Sequence, residues 1–192
     1  GSPIRKEIFT GDRARALAKY GFSGEKPVLL VLGGGSGSRA INNTVRAALF
    51  SLLQNYDVLH LCGKENTVHS NASGYVQKEY EEDMASAYAV CDLALSRAGA
   101  GAAFELLALK KPTLFIPLEN RRSRGDQAEN AAYFERKGLA RVLKEKNLTP
   151  TALLSSPNAL AEDKILRKNL ANCPIENGCD AIIKEIDEMM GN

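Results

Sequence analysis

The sequence has few of the residues that mark metal sites, disulfides or nucleophilic catalysis. Its 192 residues include four cysteines and two histidines. No two cysteines form a C-x-x-C pair, so neither a metal site nor a disulfide framework is expected, and a reduced cytosolic setting fits. Cys62 and Cys91 border apolar runs and are expected to be small core residues. His60 lies in an apolar stretch and is expected to be packed, and His69 lies in a polar loop. Neither neighbours a nucleophile motif, so the chain offers no evident general base.

Long apolar runs and strong net charge are also missing. No run approaches the ~20 residues of a membrane span, and residues 1–10 do not resemble a signal peptide. A net charge of +2 argues against a nucleic-acid partner. The acidic residues form no pair suited to Mg²⁺, so no metal or other cofactor is expected. Hydrophobic content of 44% and charged content of 25% are typical of a soluble globular domain. Residues 1–2 are expected to be a tag remnant, and residues 3–192 one domain that ends in terminal helices over 157–192.

Strand patterns alternate with helix patterns along the chain, which predicts an α/β fold with a doubly wound parallel sheet. The apolar runs typical of buried parallel strands are followed by helix patterns. Right-handed crossovers then place every strand-to-helix turn at one edge of the sheet. The predicted strands are 27–32, 58–61, 75–77, 92–96, 112–117 and 139–143, and the predicted helices are 11–20, 39–54, 84–89, 100–109, 126–137, 158–172 and 178–190.

The first distinctive turn, residues 33–38, is rich in glycine. Arg39 follows Ser38 where a Walker A loop needs Gly-Lys-Ser/Thr. The turn half-fits the dinucleotide fingerprint, but the second strand ends in Leu-Cys-Gly where an acidic residue is expected. An NAD module is therefore the weaker alternative. Gly34 and Gly35 allow close approach to a phosphate, and Ser36 or Ser38 offers a hydroxyl. A tight turn without a ligand stays open.

The second turn, residues 96–105, opens a helix with small residues. Ala100, Gly101 and Ala102 let backbone N–H groups point at an anion, and Glu105 follows one turn later. Two helix N-termini at one crevice suit a diphosphate. On this stretch alone, the residues favour an αβ unit without a ligand.

The third turn, residues 117–130, offers side chains suited to sugar hydroxyls. Gln127 and Asn130 share a helix face, and Asp126 is either part of that site or only the N-cap of the helix. Earlier in the chain, Tyr80 is placed to stack on a base or to lie at the rim of the core. The acidic residues after it mark a helix start, with Asp83 as the N-cap.

Several motifs together resemble the donor-binding C-terminal half of the MurG family, bacterial transferases that add N-acetylglucosamine to lipid I in peptidoglycan synthesis. They are residues 3–8, 31–42, 83–101 with Glu105, and 112–118 with Asp126, Gln127 and Asn130. The resemblance implies a Rossmann-like domain of a GT-B glycosyltransferase. The sequence departs from the family's pattern at Gly35, where the family usually has serine. It also departs at Ala102, at Glu81 and in the basic loop 121–124.

The resemblance also implies a site for UDP-N-acetylglucosamine. Glu105 would hold the ribose, Tyr80 would cover the uracil, and the backbone of Glu81 would pair with it. The glycine turn and the second turn would hold the diphosphate, while Arg5 and Gln127, with Asp126, would lie near the sugar. The implied donor-binding residues are Arg5, Gly34, Gly35, Ser36, Tyr80, Glu81, Arg97, Ala100, Gly101, Ala102, Glu105, Asp126 and Gln127.

The reaction implied by the resemblance is an inverting transfer, without a metal, that converts lipid I to lipid II. Its catalytic residues and lipid I site are expected in an N-terminal acceptor domain that these 192 residues do not contain, so this fragment is expected to be soluble and inactive alone. The full protein would lie at the cytoplasmic face of the membrane. The alternatives are the donor domain of another UDP-sugar transferase and a free-standing subunit of a split transferase.

Overall fold

Six parallel strands form one sheet at the centre of the described part of the chain. The computed structural model describes residues 4–118 and 125–175. The strands are β1 (Val28–Leu32), β2 (Asp57–Leu61), β3 (Tyr75–Lys78), β4 (Leu93–Ser96), β5 (Thr113–Phe115) and β6 (Arg141–Val142). Their order across the sheet is β3-β2-β1-β4-β5-β6, and each neighbouring pair is parallel. The predicted Rossmann-like α/β fold is confirmed.

Helices cover both faces of this sheet. They are α1 (Arg13–Tyr20), α2 (Arg39–Asn55), α3 (Met84–Val90), α4 (Ala100–Ala108), α5 (Asp126–Arg136), α6 (Pro150–Glu162) and α7 (Lys164–Ala171), with short 3-10 helices at Lys6–Thr10 and Glu145–Asn147. The tag remnant at residues 1–2, the basic loop 121–124 and the predicted helix 178–190 lie outside the described residues.

The central strand β1 contributes side chains to the hydrophobic cores on both faces of the sheet. All five of its residues are buried. Leu29 and Val31 pack into the core shared with α2 and α5–α7, whereas Val28, Leu30 and Leu32 pack into the core shared with α1 and α3. Alternate side chains of a strand point to opposite faces, so a continuous apolar run is what a two-sided sheet requires.

The prediction of a single helix over 158–172 was wrong. The structure has α6 from Pro150, with Thr149 as its N-cap, and then α7, whose N-cap Asp163 accepts from the Leu166 N–H. Pro157 lies inside α6 without ending it. Leu153 and Leu166 are fully buried in the core beside α2 and the sheet, so α6 and α7 belong to the main body of the fold rather than to an appendage.

The glycine-rich turn after β1 is shaped by contact with the end of β2. Gly37 has φ +74°, and a Cβ there would lie 1.9 Å from the carbonyl oxygen of Cys62. Gly63, with φ +86°, meets the same turn from the other side, since a Cβ there would lie 2.4 Å from the Gly37 nitrogen. The two backbones therefore touch where a dinucleotide-binding protein carries its acidic residue.

Candidate functional site

A pocket of about 530 Å³ opens at the carboxyl ends of β1 and β4. The strand order reverses between these two strands, and such a switch point is where open α/β sheets bind ligands. The pocket brings together the predicted site residues except Ser36 and Asp126. Its lining is Arg5, Leu32, Gly33, Gly34, Gly35, Leu61, Glu79, Tyr80, Glu81, Met84, Tyr88, Ser96, Arg97, Gly99, Ala100, Gly101, Ala102, Glu105 and Gln127.

The N-terminus of α4 forms one wall of the pocket. Gly99 is its N-cap and offers no side-chain cap to the helix. The N–H of Ala103 is bonded to the Gly99 carbonyl, whereas the N–H groups before it have no carbonyl partner earlier in the helix. A Cβ at Gly99 or Gly101 would meet nothing within 4 Å. This wall is thus open backbone with a partial positive charge, the environment that suits a phosphate.

The glycine turn faces α4 across the pocket. Gly34 and Gly35 line it and are exposed, and a Cβ at either would meet nothing within 4 Å. Ser36 lies outside this pocket, in a neighbouring cavity along the same turn. Of the two candidate hydroxyls, that of Ser38 is buried and accepts from the Ile41 N–H as the N-cap of α2, so only Ser36 remains exposed.

Glu105 lies one turn into α4 and is held by two other elements. Arg5 donates from Nε to Oε1 at 2.8 Å and from Nη2 to Oε2 at 3.1 Å. The Tyr88 hydroxyl donates to Oε2 at 2.7 Å. The hydrogen bond with Glu105 raises the pKa of Arg5, while burial, followed by the nearby Glu105 charge, raises the pKa of Tyr88. The pocket therefore contains a carboxylate of fixed orientation.

Tyr80 and Glu81 differ sharply in exposure although they are adjacent. The Tyr80 side chain is 67% exposed at the pocket edge, whereas Glu81 is 4% exposed. The Glu81 carboxylate accepts from Lys78 at 2.7 Å, from Tyr20 at 2.9 Å and from Lys19 at 3.2 Å. Burial alone would raise the pKa of Glu81, but these hydrogen bonds lower it. Glu81 thus anchors the loop that presents Tyr80, and Asp83 alone acts as the predicted N-cap of α3.

Arg97 is a buried cation between the first and second turns. It donates to the Ser38 hydroxyl at 2.6 Å and to the Ile116 carbonyl at 3.1 Å, and it forms an ion pair with Glu145. These contacts tie the start of α2, the end of β4 and the end of β5 together at the pocket wall.

The structure describes residues 117–118 and 125–130 of the third turn, and the three side chains predicted to form the sugar site there have different environments. Gln127 lines the pocket, with its Oε1 accepting from the Leu118 N–H at 3.0 Å. Asn130 instead donates to the Ala98 carbonyl at 3.0 Å and so supports the second turn from behind. Asp126 is the first residue of α5 rather than its N-cap, which is Gly125, and it is exposed outside the pocket.

Comparison with known proteins places this architecture in a family. Residues 28–186 match the family model described as the glycosyltransferase family 28 C-terminal domain. The chain belongs to this family. The prediction of a glycosyltransferase domain of MurG type is thereby confirmed at the level of the family.

Two relatives of the family 28 domain carry the same name, UDP-N-acetylglucosamine–N-acetylmuramyl-(pentapeptide) pyrophosphoryl-undecaprenol N-acetylglucosamine transferase. The Clostridium kluyveri protein is 48% identical over 167 residues, which cover 85% of this chain and 47% of the relative. The Clostridium botulinum (strain Loch Maree) protein is 41% identical over 194 residues, which cover 99% of this chain and 54% of the relative. The chain spans about half the length of these curated relatives.

Solved structures agree on the fold. A crystal structure of Acinetobacter baumannii MurG superposes with a TM-score of 0.72 at 22% identity, covering 95% of this chain and 55% of that chain. CalG4, the calicheamicin glycosyltransferase, gives a TM-score of 0.71 at 18% identity, covering 88% of this chain and 43% of that one. The family 28 domain therefore has the fold of one half of a GT-B glycosyltransferase, as predicted.

The histidines of the family 28 domain lie away from its pocket. His60 is fully buried between Tyr75 and Asn42, as expected for a packed residue, and His69 is exposed in the loop after β2. Across residues 4–118 and 125–175, no group of three or more histidine, cysteine or acidic side chains is arranged to hold a metal. Within the same ranges, no helix is both long and apolar enough to cross a bilayer.

Tyr88 is a pocket residue that the sequence does not single out, and it bonds directly to the pocket carboxylate. It lies on α3, where alanines occupy the helix positions on either side of it. The sequence carries one signal for it, a single tyrosine on a short helix of mostly small residues. Such a side chain is expected to be buried, and a buried hydroxyl needs a hydrogen-bond partner. Its partner Glu105 is 17 residues away, so only the folded chain identifies the pair.

Proposed function

We propose that this chain binds UDP-N-acetylglucosamine as the donor half of a transferase that converts lipid I to lipid II in peptidoglycan synthesis. The observation that carries the proposal is the meeting, in one pocket, of the open N-terminus of α4 and the Glu105 carboxylate one turn further along. The first suits a diphosphate and the second a ribose diol, so together they match the constant part of a nucleotide sugar. The names of the relatives support the choice of sugar and acceptor.

The lining of the pocket suggests how the donor would lie. Exposed Tyr80 would cover the uracil, and the anchored backbone of Glu81 would pair with it. Glu105 would accept from the ribose, and the diphosphate would lie between the glycine turn, including Ser36, and residues 100–102. Arg5 and Gln127 would face the sugar, with Asp126 at the outer edge of that region.

The proposed reaction is an inverting displacement without a metal. The acceptor hydroxyl attacks the anomeric carbon from the face opposite to the UDP, the bond to the UDP oxygen breaks, and the hydroxyl proton passes to a base. The partial positive charge of two helix N-termini would stabilise the negative charge that develops on the departing UDP. Neither histidine lines the pocket, so we assign the base and the lipid I site to a separate acceptor domain and expect no transfer by the 192-residue chain alone.

The acceptor of the proposed reaction is attached to a lipid, which gives the location of the reaction. UDP-sugars are cytoplasmic metabolites, and lipid I is a membrane component. We therefore propose that the complete transferase works at the cytoplasmic face of the membrane as a peripheral protein.

Calorimetric titration with UDP tests the donor site. We expect the chain to bind UDP, and Glu105→Gln to weaken binding about tenfold or more, since a hydrogen bond to a charged group contributes about 1.5–3 kcal/mol. Glu135→Gln, an exposed carboxylate on α5 outside the pocket, is the matched control and should bind as the wild type does. Absence of binding by the wild type, or equal affinity in the Glu105 variant, would refute the proposal.

The same titration separates the alternatives. Tighter binding of UDP-N-acetylglucosamine than of UDP-glucose or UDP-galactose supports the proposed donor, while the opposite order favours another UDP-sugar transferase. Binding of NAD in place of UDP would support the dinucleotide alternative. A native gene that starts near Pro3 would support a free-standing subunit of a split transferase.

A further inference from the structure

The Glu105 carboxylate has little accepting capacity left. An ionised carboxylate offers about four acceptor positions, two on each oxygen. Oε2 already accepts from Arg5 Nη2 and from the Tyr88 hydroxyl, and Oε1 accepts from Arg5 Nε. About one position therefore remains, on Oε1. A ligand that offers two vicinal hydroxyls can be bound through both of them only if one of the present donors leaves.

The two donors differ in how freely they can leave. Tyr88 is 1% exposed and lies in the core formed with α1 and α3. A buried phenol that lost this bond would be left without a partner, which costs free energy. The Arg5 side chain is 52% exposed, against 9% for that of Glu105. Water can replace Glu105 as the partner of the half-exposed Arg5, and a ribose hydroxyl can replace Arg5 as a donor to Glu105. Arg5 is the exchangeable donor, and Tyr88 is the permanent one.

The position of Tyr88 explains why a permanent donor matters here. Glu105 has three side-chain torsions, so its carboxylate needs an anchor to face a ligand in one orientation. Arg5 cannot serve as that anchor once it has been displaced. The Tyr88 hydroxyl, 2.7 Å from Oε2, holds that oxygen from α3, so that once Arg5 leaves, both acceptor positions of Oε1 are available to a ligand.

We propose that Tyr88 is a positioning residue that fixes Glu105 for the ribose hydroxyls and thereby sets the preference for ribose over deoxyribose, with Arg5 as the donor that the ribose displaces. This inference rests on the proposed function. It assigns a role to Tyr88 that acts through Glu105, without contact between Tyr88 and the reacting atoms.

The test is the ratio of affinities for UDP and for its 2′-deoxy and 3′-deoxy analogues, measured by calorimetry. We expect the wild type to prefer UDP by about tenfold over at least one analogue, the equivalent of about 1.4 kcal/mol. Tyr88→Phe should reduce that ratio to about twofold or less, and it should also weaken UDP itself. Arg5→Gln should keep at least the wild-type ratio, because the exchangeable donor is not needed in the bound state.

Two further variants separate positioning from general stability. Tyr75→Phe removes another buried tyrosine hydroxyl, which bonds to His60 outside the pocket, and should keep the wild-type ratio whatever it does to the melting temperature. Tyr88→His restores a ring N–H donor and should recover part of the ratio. Thermal melting confirms that each variant is folded, and Phe fills nearly the volume of Tyr.

Each result has a defined meaning. Normal UDP binding with no preference in the wild type, or with a full preference in Tyr88→Phe, overturns the role of Tyr88 and leaves the proposed function intact. If Arg5→Gln abolishes the preference for UDP over its deoxy analogues and Tyr88→Phe does not, Arg5 is the anchor and the inference is overturned. Absence of UDP binding in the wild type overturns the proposed function and this inference with it.

Discussion

Arg97 links three parts of the chain that are far apart in sequence. Its partners are the hydroxyl of Ser38, the carbonyl of Ile116 and the carboxylate of Glu145, which lie 59, 19 and 48 residues away. A guanidinium can bridge several acceptors at once because its donors form a rigid planar fork. The residue is 8% exposed, so this charge depends on its partners.

Arg97→Lys should therefore lower stability even though the charge is kept. An ammonium on a flexible stem cannot reproduce all three contacts, and we expect a loss of about 1–3 kcal/mol in urea unfolding. Arg39→Lys is the matched control, since Arg39 is exposed on the first turn of α2, and it should change stability by less than about 0.5 kcal/mol. Equal effects of the two substitutions would show that the bridge is not needed.

Asn130 and Glu81 show how far the sequence can specify a single residue. Both are polar residues beside predicted binding turns, and the sequence offers a sugar contact for the first and a helix-start charge for the second. In the structure, Asn130 supports the Ala98 carbonyl and Glu81 is buried in a cluster with Tyr20 and Lys78. Residue type limits the possible bonds, but the partner that is used depends on long-range packing.

At the scale of elements, the glycine turn combines two different requirements. Gly37 needs both its positive φ and its missing Cβ, because it packs against Cys62 and Gly63. Gly35 has open space around it and no positive φ. The sequence shows only a run of glycines, and the contact between this turn and the end of β2 shows which of them the backbone requires.

Alanine substitutions should separate the two positions. Gly37→Ala should lower the free energy of unfolding by at least about 2 kcal/mol, since left-handed backbone and a clash with a carbonyl oxygen both oppose it. Gly35→Ala should cost less than about 1 kcal/mol, while weakening UDP binding if the turn faces the diphosphate. Urea unfolding measures the first effect and calorimetry the second. Similar unfolding free energies for the two variants would contradict the packing argument.

At the scale of the whole molecule, the buried His60 links folding to pH. Burial, and then the positive charge of Arg46, lowers the pKa of His60 to about 3 from its usual 6.5. The folded pKa is below the unfolded one, so between these values the unfolded chain binds a proton that the folded chain does not. The contribution of His60 to stability is complete above pH 6.5 and is lost as the pH falls from 6.5 toward 3.

Urea unfolding between pH 6.5 and 5 should show this loss. Stability should fall with a slope of up to about 1.4 kcal/mol per pH unit. The His60 variant is the necessary comparison, because carboxylates also contribute to the pH dependence: hydrogen bonds from Ser86 lower the pKa of Asp83 to about 2 from 3.8, whereas burial raises the pKa of Asp57. His69→Gln, in the exposed loop, should keep the slope, and His60→Asn should flatten it. A flat profile in the wild type would show that His60 is protonated in the fold.

The sequence alone determined the class of the fold and the edge of the sheet at which the candidate site was to be sought. Buried parallel strands are apolar on both faces, so they are visible as continuous apolar runs. Turns that bring a helix N-terminus close to a ligand need small residues, so they are visible as clusters of glycine and alanine. The boundary between α6 and α7 left a weaker pattern, since the single helix predicted over 158–172 is replaced in the structure by two helices that meet at Asp163.

Only the tertiary structure decided the partners within the site. The hydrogen bonds of Glu105 to Arg5 and Tyr88 and of Arg97 to Ser38, and the close packing of Gly37 against Cys62, join residues 17 to 100 positions apart. Local sequence fixes which donors and acceptors a segment carries, because these are properties of each side chain. The pairing depends on sheet order and helix packing, which bring the turns together at the junction of β1 and β4.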